Sequence, residues 1–184
     1  MDELTALAVA AGSGDQAALG AFVRASQADV WRFCAYLLSP DRADDLTQDT
    51  YLRAVRSLPR YRADAPALRW LLSIARHACA DALRHESRQP QLSTELAEPS
   101  TPALDGAVDL LDLVARLEPD RRAAFVLTQI LGLSYAEAAE VCVCPVGTVR
   151  SRIARARAAL VEMLGSARPD AEDAGNLRAA EGDL

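Results

Sequence analysis

The segment from Cys144 to Leu160 carries four arginines in a pattern that suits contact with nucleic acid. Its apolar residues recur at alternating steps of three and four, which at about 100° per residue places them on one face of a helix. That inward face is formed by Val146, Val149, Ile153, Ala156 and Leu160. The other side has small residues flanked by arginines, namely Gly147, Thr148, Arg150, Ser151, Arg152, Ala154, Arg155, Arg157 and Ala158. Because arginine donates to phosphate oxygens and, like serine, to base edges in the major groove, the pattern predicts a helix that enters DNA.

The residues just before this segment predict a second, shorter helix over LSYAEAAEVC, residues 133–142. Ser134 is a favourable N-cap, and Glu137 three residues later completes a capping box. Four side chains share its inner face, namely Tyr135, Ala138, Ala139 and Cys142. Since Pro145 favours the start of the next helix, two short helices meet at a tight turn, which is typical of a helix-turn-helix. An arginine-rich, solvated helix in an ordinary bundle is the alternative interpretation.

Another basic helix is predicted from Leu68 to about Glu86. Its apolar face comprises Leu68, Leu71, Leu72, Ala75, Ala78, Cys79 and Ala82. Its reverse face comprises Arg69, Ser73, Arg76, His77, Ala80 and Arg84, with Trp70 at the edge. An aromatic ring beside a cationic stripe suits a single nucleic-acid strand. For Trp70 alone, packing in the core is the favoured interpretation, whereas the arginine stripe indicates an anionic partner.

The segment PDRADDLTQDTYLRAVRSL, residues 40–58, is acidic near its start and helical in period. Asp45, Gln48, Asp49 and Leu52 share one side of this predicted helix, opposite its apolar residues. Carboxylates in the first turn of a helix complement its macrodipole, so their acidity alone does not require a partner.

The composition bounds the classes of function. The chain has 184 residues, is 51% hydrophobic and has a formal net charge of −6, yet residues 53–88 carry +5 and residues 121–164 carry +3, all from arginine. No run of 18 uncharged apolar residues and no basic N-terminal start is present, which predicts a cytoplasmic protein without membrane insertion. The four cysteines form no CxxC pair, and the two histidines lack the spacing of metal ligands. We therefore expect no metal, no cofactor and no catalytic residues.

The chain is predicted to be all-α, with two small helical domains joined by an extended linker. Prolines and polar residues without apolar periodicity cluster in residues 88–102. The predicted divisions are a first domain over 1–87, a flexible linker over 88–105, a second domain over 106–164 and an acidic tail over 165–184.

Three of these segments together resemble the extracytoplasmic-function group of bacterial RNA polymerase sigma factors, which contain only the second and fourth sigma regions. DDLTQDTYLRAV at 44–55 resembles the core-binding motif of that family. WLLSIARHACADALRH at 70–85 resembles its promoter-melting helix, and residues 133–160 resemble its reader of the minus-thirty-five element. The resemblance implies that the first domain is sigma region 2 and the second is sigma region 4.

The resemblance also implies partners and site residues. The β′ clamp helices of core RNA polymerase would be bound by Asp45, Gln48, Asp49 and Leu52, and the β flap of the polymerase would be a further contact. The minus-ten element would be contacted by Tyr61, Arg62, Asp64, Arg69, Trp70, Ser73, Arg76, His77 and Arg84, with capture of an unstacked base driving strand opening. The minus-thirty-five element would be contacted by Thr148, Arg150, Ser151, Arg152, Ala154 and Arg155. An anti-sigma factor is a candidate further partner.

Two other classes of function compete with a sigma factor. A stand-alone helix-turn-helix regulator would explain residues 133–160 but would leave the basic helix at 68–86 without a target. An enzyme would need a nucleophile motif, a metal site or a phosphate-binding glycine loop, and the sequence offers none of these.

Overall fold

The computed structural model describes residues 1–88 and 110–166. Within these two ranges the chain forms eight helices and no strand, which confirms the predicted all-α class. Most of the predicted linker, 88–105, and nearly all of the predicted tail, 165–184, lie outside the described residues. The division into domains therefore stays a prediction, and below we call residues 1–88 the first module and residues 110–166 the second.

The first module contains four helices, and local caps explain where the first two begin. They are α1 (Glu3–Gly12), α2 (Gln16–Leu37), α3 (Pro40–Ser57) and α4 (Ala67–Arg88), with a 3₁₀ turn over Leu58–Arg60. The carboxylate of Asp2 accepts from the N–H of Thr5, and that of Asp15 accepts from the first turn of α2. α2 is central, since it packs against the other three helices and buries Phe22 and Phe33 completely.

The second module begins with two short helices and ends with the predicted helix-turn-helix. Its helices are α5 (Leu110–Ala115), α6 (Pro119–Phe125), α7 (Tyr135–Cys142) and α8 (Val146–Ser166), and a π-helical turn over Val126–Ile130 extends α6. The capping box is confirmed, because Ser134 and Glu137 bond each other's backbone N–H groups at the start of α7.

The inward face of α8 is confirmed except at its first residue. Val149, Ile153, Ala156 and Leu160 are buried, but Val146 is 40% exposed. Predicting Val146 as buried was wrong because the helical period was extended to the first residue of α8, at the turn where the helix begins. The outward residues Ser151, Ala154 and Arg155 are exposed, as the helical period predicts.

The two modules pack against each other, which the prediction of domains on an extended linker did not anticipate. α4 contacts α7, and α2 contacts both α5 and α6. Arg122 of α6 donates a 2.6 Å hydrogen bond to the carbonyl oxygen of Leu37, the last residue of α2. It also donates to the carbonyl oxygens of Ala115 and Leu117, so one guanidinium joins the ends of two helices across the module boundary. Burial lowers the pKa of Arg122, but an arginine remains charged.

The turn between α7 and α8 contains a strained residue. Val143 has φ 51° and ψ 52°, a left-handed conformation that favours glycine, and its side chain is 75% exposed. Replacing Val143 with glycine should raise stability by roughly 1 kcal/mol, because the lost backbone strain exceeds the entropy that glycine adds. A thermal melt should show a Tm roughly 2–4 °C higher. The matched control Val161→Gly, at an exposed valine inside α8, should lower the Tm, and an equal rise in both variants would contradict the explanation.

Candidate nucleic-acid and polymerase-binding surfaces

An open groove of about 430 Å³ lies between α2 and α3. Its lining is formed by Val23, Gln27, Trp31, Asp44, Thr47, Gln48, Tyr51, Leu52, Val55 and Arg56. Leu52 is 52% exposed and Trp31 is 39% exposed, which is unusual for such large apolar side chains. Trp31 Nε1 donates a 2.8 Å hydrogen bond to Asp44 Oδ1, so the indole ring is held at the rim. The arrangement suits an apolar side chain of a partner protein, with carboxylates beside it.

Of the four residues predicted to bind polymerase, three are open to a partner and one is held in an ion pair. Gln48 and Leu52 line the groove, and Asp45 is exposed on the same helix. Asp49 instead pairs with Arg53 at 2.9 Å, and Arg53 donates a 2.6 Å hydrogen bond to Asp81 Oδ2 of α4. These bonds to Asp81 and Asp49 raise the pKa of Arg53, and the bond from Arg53 is the main cause of a lowered pKa at Asp81. Arg53 therefore joins α3 to α4, and Asp49 holds Arg53 from within α3.

Sequence reasoning did not identify the wall of the groove that α2 contributes. Trp31 lies in the run VWRFCAYL, in which Val30, Phe33 and Cys34 are completely buried. These three residues follow the helical period of one buried stripe, and Trp31 falls outside that stripe. The signal that could have found Trp31 is its position between two residues of the buried stripe of α2.

The loop Tyr61–Pro66 leads into α4 and carries an aromatic pair. The rings of Tyr61 and Trp70 lie 4.8 Å apart between centroids and are tilted by 35°. The Tyr61 hydroxyl donates a 2.5 Å hydrogen bond to the carbonyl oxygen of Ala65, and burial raises its pKa. Arg62 and Asp64 are exposed on the loop. Trp70 is half-buried, so it packs on the core with one side and on Tyr61 with another.

The basic face of α4 is occupied by carboxylates of the second module. Arg69 Nη1 donates a 2.6 Å hydrogen bond to Glu140 Oε2 of α7, and Arg76 Nη2 lies 3.9 Å from Asp120 Oδ1 of α6. Two further predicted residues make contacts within α4 itself. The Ser73 hydroxyl donates to the carbonyl oxygen of Arg69, and His77 Nδ1 lies 2.7 Å from the carbonyl oxygen of Ser73.

Arg84, the last predicted residue of this face, pairs with Asp81 on α4. The structure therefore brings the predicted minus-ten residues onto one loop and one helix face. Arg69 and Arg76 of that face lie against the second module, whereas His77 and Arg84 are exposed.

The outward face of α8 is exposed at the centre and engaged at one edge. Arg150, Ser151, Ala154 and Arg155 are exposed, whereas Thr148 is half-buried. Arg152 is only 21% exposed and pairs with Asp120, the same carboxylate that faces Arg76. A second nitrogen of Arg152 lies 3.5 Å from Cys144 Sγ. Arg152 thus holds α8 against α6, and the exposed guanidinium in the middle of the predicted reader face belongs to Arg155.

Neither a metal site nor a membrane span is found in the described part of the chain. No group of three or more His, Cys, Asp or Glu side chains in residues 1–88 and 110–166 could hold a metal ion. Over the same ranges, no helix is both long and apolar enough to cross a membrane.

Comparison with known proteins assigns both modules to one family. Sigma-70 region 2 matches residues 22–89, and Sigma-70 region 4 matches residues 107–160. The chain is 49% identical over 178 residues to the ECF RNA polymerase sigma factor SigC of Mycobacterium tuberculosis and to the probable RNA polymerase sigma-C factor of Mycobacterium bovis. Each of these matches covers 92% of this chain and 94% of the relative.

Solved structures agree with this assignment. CnrH in complex with the cytosolic domain of CnrY is 28% identical with a TM-score of 0.71, and the match covers 91% of this chain and 100% of that chain. The sigma factor RpoE of Bartonella quintana, in complex with the anti-sigma factor NepR, is 28% identical with a TM-score of 0.66, covering 82% and 98%. Proteins of this family initiate transcription and are not enzymes. The chain therefore belongs to the extracytoplasmic-function sigma factors of bacterial RNA polymerase.

Proposed function

We propose that this sigma factor binds core RNA polymerase through the groove between α2 and α3. The observation that carries the proposal is the exposure of Leu52 and Gln48 in that groove, at the positions of the family's core-binding motif. A buried apolar contact surrounded by carboxylates would give both affinity and orientation on a helical partner such as the β′ clamp helices. The exposed Val161 and Leu164 near the end of α8 support a second contact, with the β flap.

The loop Tyr61–Pro66 and the basic face of α4 are proposed to bind the nontemplate strand of the minus-ten element. Tyr61 and Trp70 offer aromatic surfaces to an unstacked base, and Arg69 and Arg76 offer charges to the phosphates. Capture of the base offsets the cost of unstacking, which is a few kcal/mol, so strand opening follows from binding energy alone. Because Glu140 and Asp120 pair with Arg69 and Arg76, phosphate contact by these two arginines requires the carboxylates of the second module to move away from them.

The exposed face of α8 is proposed to read the minus-thirty-five element. Arg155 and Ser151 lie at its centre, where a helix in the major groove approaches the base edges, and Arg150 lies beside them. Ala154 offers no hydrogen bond, so base preference at that contact depends on shape and apolar surface.

The remaining assignments follow from the same proposal. The chain would act in the cytoplasm, where core polymerase and promoter DNA are found, and would have no catalytic role of its own. CnrH and RpoE were solved with the cytosolic domain of CnrY and with the anti-sigma factor NepR, so a regulatory protein is a proposed further partner.

Transcription in vitro tests the proposal. The full chain is mixed with purified bacterial core polymerase and a library of genomic promoter fragments, and the transcripts are sequenced. Transcription should start at a defined set of promoters only when both proteins are present. If the chain alone bound promoter duplex tightly and core polymerase added nothing, a stand-alone regulator would explain the data better.

A further inference from the structure

Helix α1 contacts the elements on both sides of the loop Tyr61–Pro66. It lies before residues 22–89, the segment that matches Sigma-70 region 2. In the fold, α1 packs against the 3₁₀ turn Leu58–Arg60, which precedes the loop, and against α4, which follows it. One helix therefore fixes both ends of the loop that is proposed to receive the extruded base.

Thr5 makes the contact at the α4 end. Its side chain is 3% exposed, and Oγ1 accepts a 2.9 Å hydrogen bond from the backbone N–H of Ala67, the first residue of α4. The residue before α4 is Pro66, which has no side-chain oxygen and therefore cannot cap the helix. Thr5 supplies the missing cap from a helix that is distant in the sequence.

Asp2 orients the hydroxyl of Thr5. Thr5 Oγ1 donates a 2.7 Å hydrogen bond to Asp2 Oδ2, and the backbone N–H of Thr5 donates to Asp2 Oδ1 at 2.9 Å. A hydroxyl has a single hydrogen, so giving it to Asp2 leaves the oxygen lone pairs to accept from Ala67. The hydrogen bonds from Thr5 also keep the pKa of Asp2 below its ordinary value, which keeps the carboxylate charged.

Gly12 makes the contact at the other end. A Cβ at this position would lie 2.5 Å from the carbonyl oxygen of Leu58, which is closer than non-bonded atoms approach. The backbone of α1 therefore touches the 3₁₀ turn directly. This contact fixes the position of the turn, and so of Tyr61, which follows it. The turn itself is closed by a 3.0 Å hydrogen bond from the N–H of Tyr61 to the carbonyl oxygen of Leu58.

We infer that α1 is a positioning element for recognition of the minus-ten strand, and that Thr5 is its positioning residue. Trp70 lies one turn after Ala67, so a shift of the first turn of α4 moves the Tyr61–Trp70 pair with it. A loop that is already held at both ends loses less conformational entropy when it binds a base. This inference rests on the proposed function, since it needs the loop to bind DNA.

The test compares Thr5→Val, which keeps the shape and removes the hydroxyl, with Thr5→Ser, which restores the hydroxyl. Thr50→Val is the matched control, because Thr50 is also buried and its hydroxyl donates to the carbonyl oxygen of Leu46 inside α3. The probe is a fork-junction oligonucleotide that carries the minus-ten sequence selected by wild-type holoenzyme from a randomised duplex library. The measured quantity is the affinity of holoenzyme for this oligonucleotide divided by its affinity for the same oligonucleotide with the unpaired base changed. This ratio does not depend on the fraction of folded protein.

We expect Thr5→Val to lower the ratio about fivefold, the effect of losing one helix cap, while Thr5→Ser and Thr50→Val keep it. If Thr5→Val does not fold, Asp2→Asn replaces it. The amide nitrogen of Asn cannot accept from Thr5, so the same direction is expected. An unchanged ratio, or an equal loss in Thr50→Val, would overturn the inference while leaving the sigma-factor assignment intact. Failure of the wild-type holoenzyme to distinguish the two oligonucleotides would instead count against the proposed function.

Discussion

Replacing Leu52 with arginine is expected to weaken binding to core polymerase at least about thirtyfold, the loss that follows when a central apolar contact of an interface is removed. The side chain lies half-exposed in the α2–α3 groove, so the arginine costs the free protein little. In the complex, however, it would put an unpaired charge into an apolar contact. Competition between labelled wild type and unlabelled variant for core polymerase measures the effect.

Val9→Arg is the matched control for this experiment. Val9 is an exposed valine on α1 and does not line the groove, so its replacement adds the same charge elsewhere. We expect it to compete as well as wild type. Undiminished competition by Leu52→Arg, with an unchanged Tm, would show that polymerase docks on another surface.

Replacing Arg155 with alanine should lower the affinity of the holoenzyme for its selected promoter by roughly five- to a hundredfold, since one arginine contact to a base discriminates by about 1–3 kcal/mol. The guanidinium is exposed at the centre of the α8 face, so folding should not change. The measurement is binding of holoenzyme to the selected promoter and to the same promoter with its minus-thirty-five element scrambled. The loss should appear only on the first DNA, because the scrambled element has no matching base edge to lose.

Two measurements accompany the Arg155 variant. Arg32→Ala removes an equal charge from α2, far along the chain from the reader helix, and should leave both affinities unchanged. Binding of Arg155→Ala to core polymerase should also equal that of wild type. If both DNAs lost affinity equally, Arg155 would be a phosphate contact without a role in specificity.

Local features of this fold could be predicted from the sequence, and distant contacts could not. The capping box of Ser134 and Glu137 and the start of α8 after Pro145 depend on neighbours within one turn, and both were predicted correctly. The inward turn of Arg152 depends on Asp120, which lies 32 positions earlier. No periodicity reports such a pairing, so the sequence placed Arg152 on the outward face together with Arg155.

The candidate site follows the same division. The basic face of α4 was predicted because its residues recur with the helical period. The pairing of this face with Glu140 and Asp120 was not predicted, because it depends on how the two modules pack. The α2 side of the groove was missed because the helical period places Trp31 outside the buried stripe but does not show that α3 forms a groove beside it. Thr5 gave no signal at all, since its partner Ala67 is 62 residues away and bonds through its backbone.

The ion pairs between Arg69 and Glu140 and between Arg76 and Asp120 alter the thermodynamics of promoter association. Each phosphate that a bare arginine neutralises sets free about one condensed counter-ion, which makes affinity fall steeply with ionic strength. Here the same phosphate expels a carboxylate, and that carboxylate then gathers a cation from solution. Salt should therefore weaken DNA binding by this chain less than its number of arginines suggests. The slope of log affinity against log salt concentration should be shallower by up to about two, one for each ion pair.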